Sequence, residues 1–468
     1  MAEKEGIKLG FGKNIIKYKD DILKGLARMV SIPSVCSQAE PGKPFGPESA
    51  NALQLILKMA QDMGFATKNV GNYAGHAEYG NGSEIAAAVV HVDVVPAGDG
   101  WKTDPFSLTR RGNLYFGRGT ADDKGAAVVA LYCLKALKDA GVTGKRKVRV
   151  IFGAGEEIAS NDLEMYFNKE PMPDMAFTPD SEYGVCNREK GILRVRISKA
   201  GNPSPVVRSF TAGTVVNAVP GMAEAVVEDT GGLLEKLKAT AEQIPSGKFD
   251  FEKSADNIKI TSIGKACHAA QPQEGINAAG LLVDLMAKVL PENELGMFLS
   301  FMHQNIGMET DGASMGVKMS DGPSGPLTLN LGLVRINAAL SSITVDIRYP
   351  VTCKGSDIVG TIRRKAEQAG LSAEKILENA PLYFPADHPI VHLLQDAYKE
   401  VKGAPAKLYA TGGGTYAREI PGKAVAFGPL FKDEPDRGLH NANENINIDR
   451  FMEHAQICLE ALYRMMIT

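Results

Sequence analysis

Three short apolar runs constrain the fold most: Ile85 to Val90, Val148 to Phe152, interrupted only by Arg149, and Met175 to Phe177. A run so short, and apolar at nearly every position, reads as a strand covered on both faces. Between the first two lies Ala126 to Ala140, with apolar residues at helical spacing and a stop at Gly141. Strand, helix and strand in that order predict a parallel sheet covered by helices. Upstream, Ile22, Leu23, Leu26 and Val30 follow Asp20-Asp21, and Ala52 to Met63 ends at Gly64, which predicts two further helices.

After about Cys186 the pattern changes. Leu193, Val195 and Ile197, then Ile258 and Ile260, then Leu327, Leu329, Leu331 and Leu333 alternate with polar or small residues. Period two marks half-exposed antiparallel strands. Helices over Ala278 to Leu290 and Asp357 to Ala369 lie among them, and helical spacing returns at Ile390 to Val401 and Phe451 to Leu462. The chain has 468 residues, more than one core of ~250–300 residues usually organises. The expected fold class is therefore α/β: a mostly parallel-sheet domain, discontinuous over 1–186 and 382–468, with an inserted α+β domain over 187–381.

A net charge of -3 offers no basic surplus for nucleic acid or anionic lipid, so neither is expected as a partner. The opening MAEKEGIKLG lacks the apolar centre of a signal peptide, and no run approaches the ~18–20 apolar residues of a membrane helix. A cytoplasmic protein is expected. Cys36, Cys133, Cys186, Cys267, Cys353 and Cys458 form no CxxC pair, which suits reduced thiols. Any metal must then be held by histidine and carboxylates.

Ligands of open parallel sheets collect beyond the carboxyl ends of the strands. The first run leads into His91-Val92-Asp93, whose outer residues point to one side of an extended chain, so that Asp93 can orient His91. GRGTADDKG places Asp122 and Asp123 at a helix threshold, where helix capping is the plain alternative. The run ending at Phe152 leads into Gly153-Ala154-Gly155-Glu156-Glu157, which suits one metal ligand beside one general base, or a solvated loop. The last run leads into Thr178-Pro179-Asp180. A nucleotide loop is excluded at Gly153, because a third glycine is missing and two carboxylates would meet the phosphate. Four such segments together point to metal.

These segments resemble those of the zinc-dependent exopeptidases and deacylases, the family of aminoacylase, carboxypeptidase G, carnosinase and the PepV-type dipeptidases. HVDVVPAGDGW, GRGTADDKG, GEE and TPDSEYGV stand in the family's order, followed by VVNAVP, ACHAAQP, DIRYP, TGGGTYAR and LHNANENI. Length and the GGGTYAR and GPLFKDE segments are most similar to the PepV type. The resemblance implies two zinc ions, one on His91 and Asp180, the other on Glu157 and His440, with Asp122 bridging; manganese or cobalt are possible substitutes. Asp122, Glu157 and Asp180 bring three of the four negative charges that two such ions call for.

It further implies Glu156 as general base, Asp93 as orienter of His91, and a cis bond between Asp122 and Asp123. His268 and Asn217 match residues that polarise the scissile carbonyl; a structural histidine and a buried turn asparagine are the plain alternatives. Arg348, with Gly412, Gly413, Gly414 and Thr415 ahead of a helix-like segment, matches the site for the substrate's free carboxylate. Trp101 fits either a wall of the site or simple packing, while His76, His303, His388, His392 and His454 match no catalytic motif. The implied activity is hydrolysis of unbranched L-dipeptides by a monomer whose inserted domain acts as a lid. An N-acyl amino acid deacylase or succinyl-diaminopimelate-type amidase would use the same centre, and a non-catalytic metal-dependent binding protein is the reading from another class.

Overall fold

Hydrophobic strands that end in polar residues form the centre of the first of two units. The structure, a computed structural model, describes residues 9–202 and 204–468, so most of the opening segment read for a leader lies outside the described residues. The first unit holds the chain up to Asn187, Tyr383–Tyr409 and Thr415–Thr468; the second holds Arg188–Leu382 and Ala410–Gly414. The short stretch 410–414, expected with the first unit, thus groups with the second.

In the first unit, Arg146–Gly153, Glu84–His91, Met175–Thr178 and Ala424–Ala426 lie side by side and parallel. The predicted parallel centre is there, and its edges are antiparallel. Ala74–Tyr79 pairs antiparallel with Arg146–Gly153, and Ala66–Val70 pairs antiparallel with Ala74–Tyr79. The outermost strand has no buried residue, so no apolar run announces it. Helices Lys124–Asp139 and Ile448–Ile467 pack on the sheet and on each other. Both are buried almost throughout, which explains why Ala126 to Ala140 is apolar on most sides.

The second unit is an eight-stranded sheet whose pairings are all antiparallel. Its centre runs Val207–Ala212, Thr328–Ile336, Leu340–Tyr349, Gly191–Ala200. Helices Ala278–Val289, Met297–Asn305 and Gly355–Gln368 contribute buried faces to the same core. The alternation read from Leu327 to Leu333 breaks before its end. A register shift lies between Leu331 and Leu333, and beyond it Val334 and Ile336 are buried while Leu333 is only half-buried. The extra residue is Gly332, where a Cβ would stand 2.2 Å from the Val216 carbonyl oxygen. A bulge at a glycine that another backbone approaches accounts for the phase change.

Candidate active site

Parallel register brings the first unit's polar residues together. His91 ends its strand directly beside Gly153, so the turn carrying Glu156 and Glu157 starts next to the imidazole. His91 Nε2 lies 3.0 Å from Asp122 Oδ1 and 3.9 Å from Asp180 Oδ2. His440 Nε2 lies 3.1 Å from Asp122 Oδ2 and 3.1 Å from Glu157 Oε2. Asp122 therefore presents one oxygen to each imidazole. Donor atoms of His91, Asp122 and Glu157 fall within 4.8 Å of one another, as do those of His91, Glu156 and Asp180.

The donor set fits divalent metal. Ligands ~2.0–2.2 Å from a tetrahedral ion stand about 3.3–3.6 Å apart, within the spread of separations above. The charge balance points the same way. Burial pushes the Glu156 carboxyl up to about 8 and, with Asp122 nearby, holds that of Asp180 well above its ordinary range. Hydrogen bonds to Asp122 and Glu157 raise the His440 imidazole to about 10, and His91 is raised despite its burial by Asp122 and Asp93. These crowded carboxylates and imidazoles are the charges that divalent cations would compensate.

The capping reading of the Asp122-Asp123 pair is settled by contacts. Asp123 occupies the N-cap position of Lys124–Asp139 but makes no side-chain capping bond; its Oδ2 accepts the His91 N–H at 3.2 Å. The Asp122–Asp123 peptide bond is cis. Asp93 is fully buried, with Oδ1 3.4 Å from His91 Nδ1. Its carboxylate also accepts the N–H groups of Glu156 at 3.1 Å and Glu157 at 3.0 Å.

Sequence reasoning missed Glu444, four residues beyond His440. This buried carboxylate accepts the N–H groups of Gly119 (3.0 Å), Ala121 (2.8 Å) and Asp122 (3.2 Å), together with Arg118 Nη1 at 2.7 Å. The signal was an acid inside LHNANENI with no role assigned. Trp101 packs by its ring on the Arg118 guanidinium and donates Nε1–H to Ala97 O. Lys124 is likewise buried and donates to Ile32 O at 2.6 Å, burial bringing its ammonium down to about 7 against the pull of Glu444 and Asp93. Tyr416 sets its ring edge-on to His91 and donates its hydroxyl to Asp162, whose carboxylate also accepts the N–H groups of Ala154 and Gly155.

The remaining site residues, Thr415 apart, lie in the second unit. Arg348 is buried: Nε and Nη2 donate to Asp346 at 2.6 and 3.2 Å, and Nη1 donates to the Gly412 carbonyl at 2.7 Å. The Gly413 N–H donates to Thr411 Oγ1 at 3.0 Å. The helix-like segment after Gly414 is only a four-residue 3-10 turn, Tyr416–Glu419, capped by Thr415, so the expected helix N-terminus is a weak one. His268 and Asn217 are both exposed, so Asn217 is not the buried turn residue of the plain alternative. Among the other histidines, His76 meets Tyr166, His454 meets Tyr183, His303 meets Asp284, and His388 caps Pro389–Lys402. All six cysteines are free. Among the described residues no helix is long and apolar enough to cross a membrane.

The profile of peptidase family M20/M25/M40 matches residues 87–464. A provisionally named dipeptidase of Bacillus subtilis (strain 168), YtjP, is 35% identical over 462 residues, covering 96% of this chain and 98% of its own. Among solved structures, the fold is similar to that of the di-peptidase Dug1p from Saccharomyces cerevisiae, with a TM-score of 0.59, 15% identity, and coverage of 97% of this chain and 98% of that one. It is also similar to the M20 family metallo-carboxypeptidase Sso-CP2 from Sulfolobus solfataricus, with a TM-score of 0.57, 17% identity, and coverage of 95% and 100%. At those identities the likeness is one of fold. With the profile spanning most of the chain and a relative this similar over nearly its whole length, the protein belongs to peptidase family M20/M25/M40 and is a metal-dependent peptidase.

Proposed function

We propose that this chain is a cytoplasmic, monomeric two-zinc dipeptidase that hydrolyses unbranched L-dipeptides. The observation that carries the reading is Asp122 placed between two imidazoles, with Glu156 beside them. His91 and Asp180 would hold one ion, Glu157 and His440 the other, with Asp122 shared. When bound, the metal pair supplies Lewis acidity toward a water and the scissile carbonyl. Glu156 takes the proton of the attacking water and returns it to the leaving amine. Asp93 fixes His91 and the backbone of Glu156 and Glu157. In the second unit, read as the lid, His268 and Asn217 are donors to the oxyanion. Arg348, its inner edge held by Asp346, binds the free carboxylate of the substrate, with Gly412, Gly413, Gly414 and Thr415 as a supporting loop.

The test is a panel of X-Ala dipeptides, their N-acetylated forms and the corresponding tripeptides, assayed after chelation with zinc, manganese or cobalt restored separately. Rapid cleavage of the free dipeptides alone is expected. Faster turnover of N-acetylated substrates would make the chain a deacylase, tripeptide cleavage at equal rate would remove the size limit, and metal binding with no turnover would make it a binding protein.

A further inference from the structure

Arg348 stands among polar residues on the second unit's sheet. Thr328 pairs with Arg348 across adjacent strands, and Asn330 pairs with Asp346, which in turn pairs with Arg194. Asn330 is 1% exposed and no part of the chemistry proposed above uses it. Its Nδ2 donates to two carbonyl oxygens, those of Val216 at 3.2 Å and Ala218 at 2.9 Å. Those carbonyls flank Asn217. The Asn217 carbonyl accepts the Ala269 N–H at 3.0 Å, the Val219 N–H donates to Cys267 O at 2.9 Å, and Ala218 forms a β-bridge with His268.

We propose that Asn330 is a positioning residue: by holding the carbonyls on both sides of Asn217 it fixes that side chain. This rests on the catalytic reading of Asn217. The chemistry favours an amide here. Two carbonyl oxygens converging on one buried point need a group with two N–H donors and no charge, which asparagine supplies. Gly332, two residues on, lets the Val216 carbonyl lie against the same strand, where a side chain would displace it. Arg348 is held separately by Asp346 and Gly412, so substrate carboxylate binding should not depend on Asn330.

The experiment is a double-mutant cycle on the metal-loaded full chain, pairing Asn330→Leu with Asn217→Ala. Asn330→Leu keeps the number and branching of the side-chain heavy atoms and removes both donors. It is expected to lower kcat about tenfold with KM changed less than about twofold, and to cost less than about twofold in kcat when Asn217 is already alanine. Asn330→Ser, which leaves room for a water to bridge the carbonyls, is expected to recover part of the loss and serves if the leucine variant does not fold. Losses that simply multiply, or a rise in KM with kcat unchanged, overturn the proposal and leave the dipeptidase reading standing. An Asn217→Ala enzyme with wild-type kcat overturns the role of Asn217, and the proposal falls with it.

Discussion

Asp93 Oδ2 accepts the backbone N–H of Glu157 at 3.0 Å, so the residue proposed to orient His91 also holds the segment carrying the proposed base and a proposed ligand. Asn at position 93 would keep one acceptor and turn an amide N–H₂ toward an N–H. Asp93→Asn is expected to weaken metal affinity by about 10–100-fold, read by equilibrium dialysis, with far-UV circular dichroism unchanged.

Glu156 shares its cluster with His91 and Asp180, while the His440 imidazole contacts Glu157. Glu156 is the proposed base and not a ligand, so Glu156→Gln should retain two metals per chain and lose turnover by roughly 10²–10⁴-fold. Metal content by atomic emission alongside dipeptide hydrolysis checks both halves. A fall in metal content matching the loss of turnover would move Glu156 from base to ligand.

Glu444 satisfies three backbone N–H groups and the buried Arg118 guanidinium. A glutamine in its place faces those donors with one oxygen and strands the arginine charge. Glu444→Gln is expected to cost about 3–5 kcal/mol of stability. Urea unfolding of the metal-free protein isolates this cost from any change in metal binding.

Much of this centre was legible because the residues that bear chemistry follow apolar runs directly. His91, the Glu156-Glu157 pair and Asp180 each announce themselves at the end of a buried strand. Glu444 and Asp162 do not, since their partners are backbone N–H groups or a residue 254 positions away, and hydrogen bonds between distant segments leave no local periodicity. The antiparallel edge formed by Ala66–Val70 was hidden for a different reason: it is solvated, and its residues need not be apolar. At Gly332 the apolar pattern misled, because one inserted residue reverses which side chains face inward.

His76, which is not among the proposed metal ligands, gives a pH dependence of its own. Arg149 Nη1 donates to the Tyr166 hydroxyl at 3.1 Å, and that hydroxyl meets His76 Nδ1 at 2.7 Å. Burial, and then the Arg149 charge, lower the imidazole from 6.5 to about 4. The fold therefore favours neutral His76. As pH falls from about 6.5 to about 4, the unfolded chain gains a proton that the folded one refuses, and up to roughly 3 kcal/mol is lost. The urea midpoint should decline over this window, and His76→Gln should flatten the decline.

Arg348 engages Asp346 through two nitrogens and Gly412 through a third. Lysine has no such fork. Arg348→Lys is expected to raise KM for dipeptides about tenfold or more with a smaller change in kcat, measured by steady-state kinetics.

The loop bearing Asp122 is held by Glu444, 322 positions later in the chain, and the second imidazole at Asp122 comes from His440. A ribosome that has passed Asp180 has therefore made His91, Asp122, Glu157 and Asp180 without the parts that lock them together, which follow only at His440 and Glu444. The order of synthesis itself delays the complete cluster until Glu444 has been added, after every strand of the parallel centre has been made.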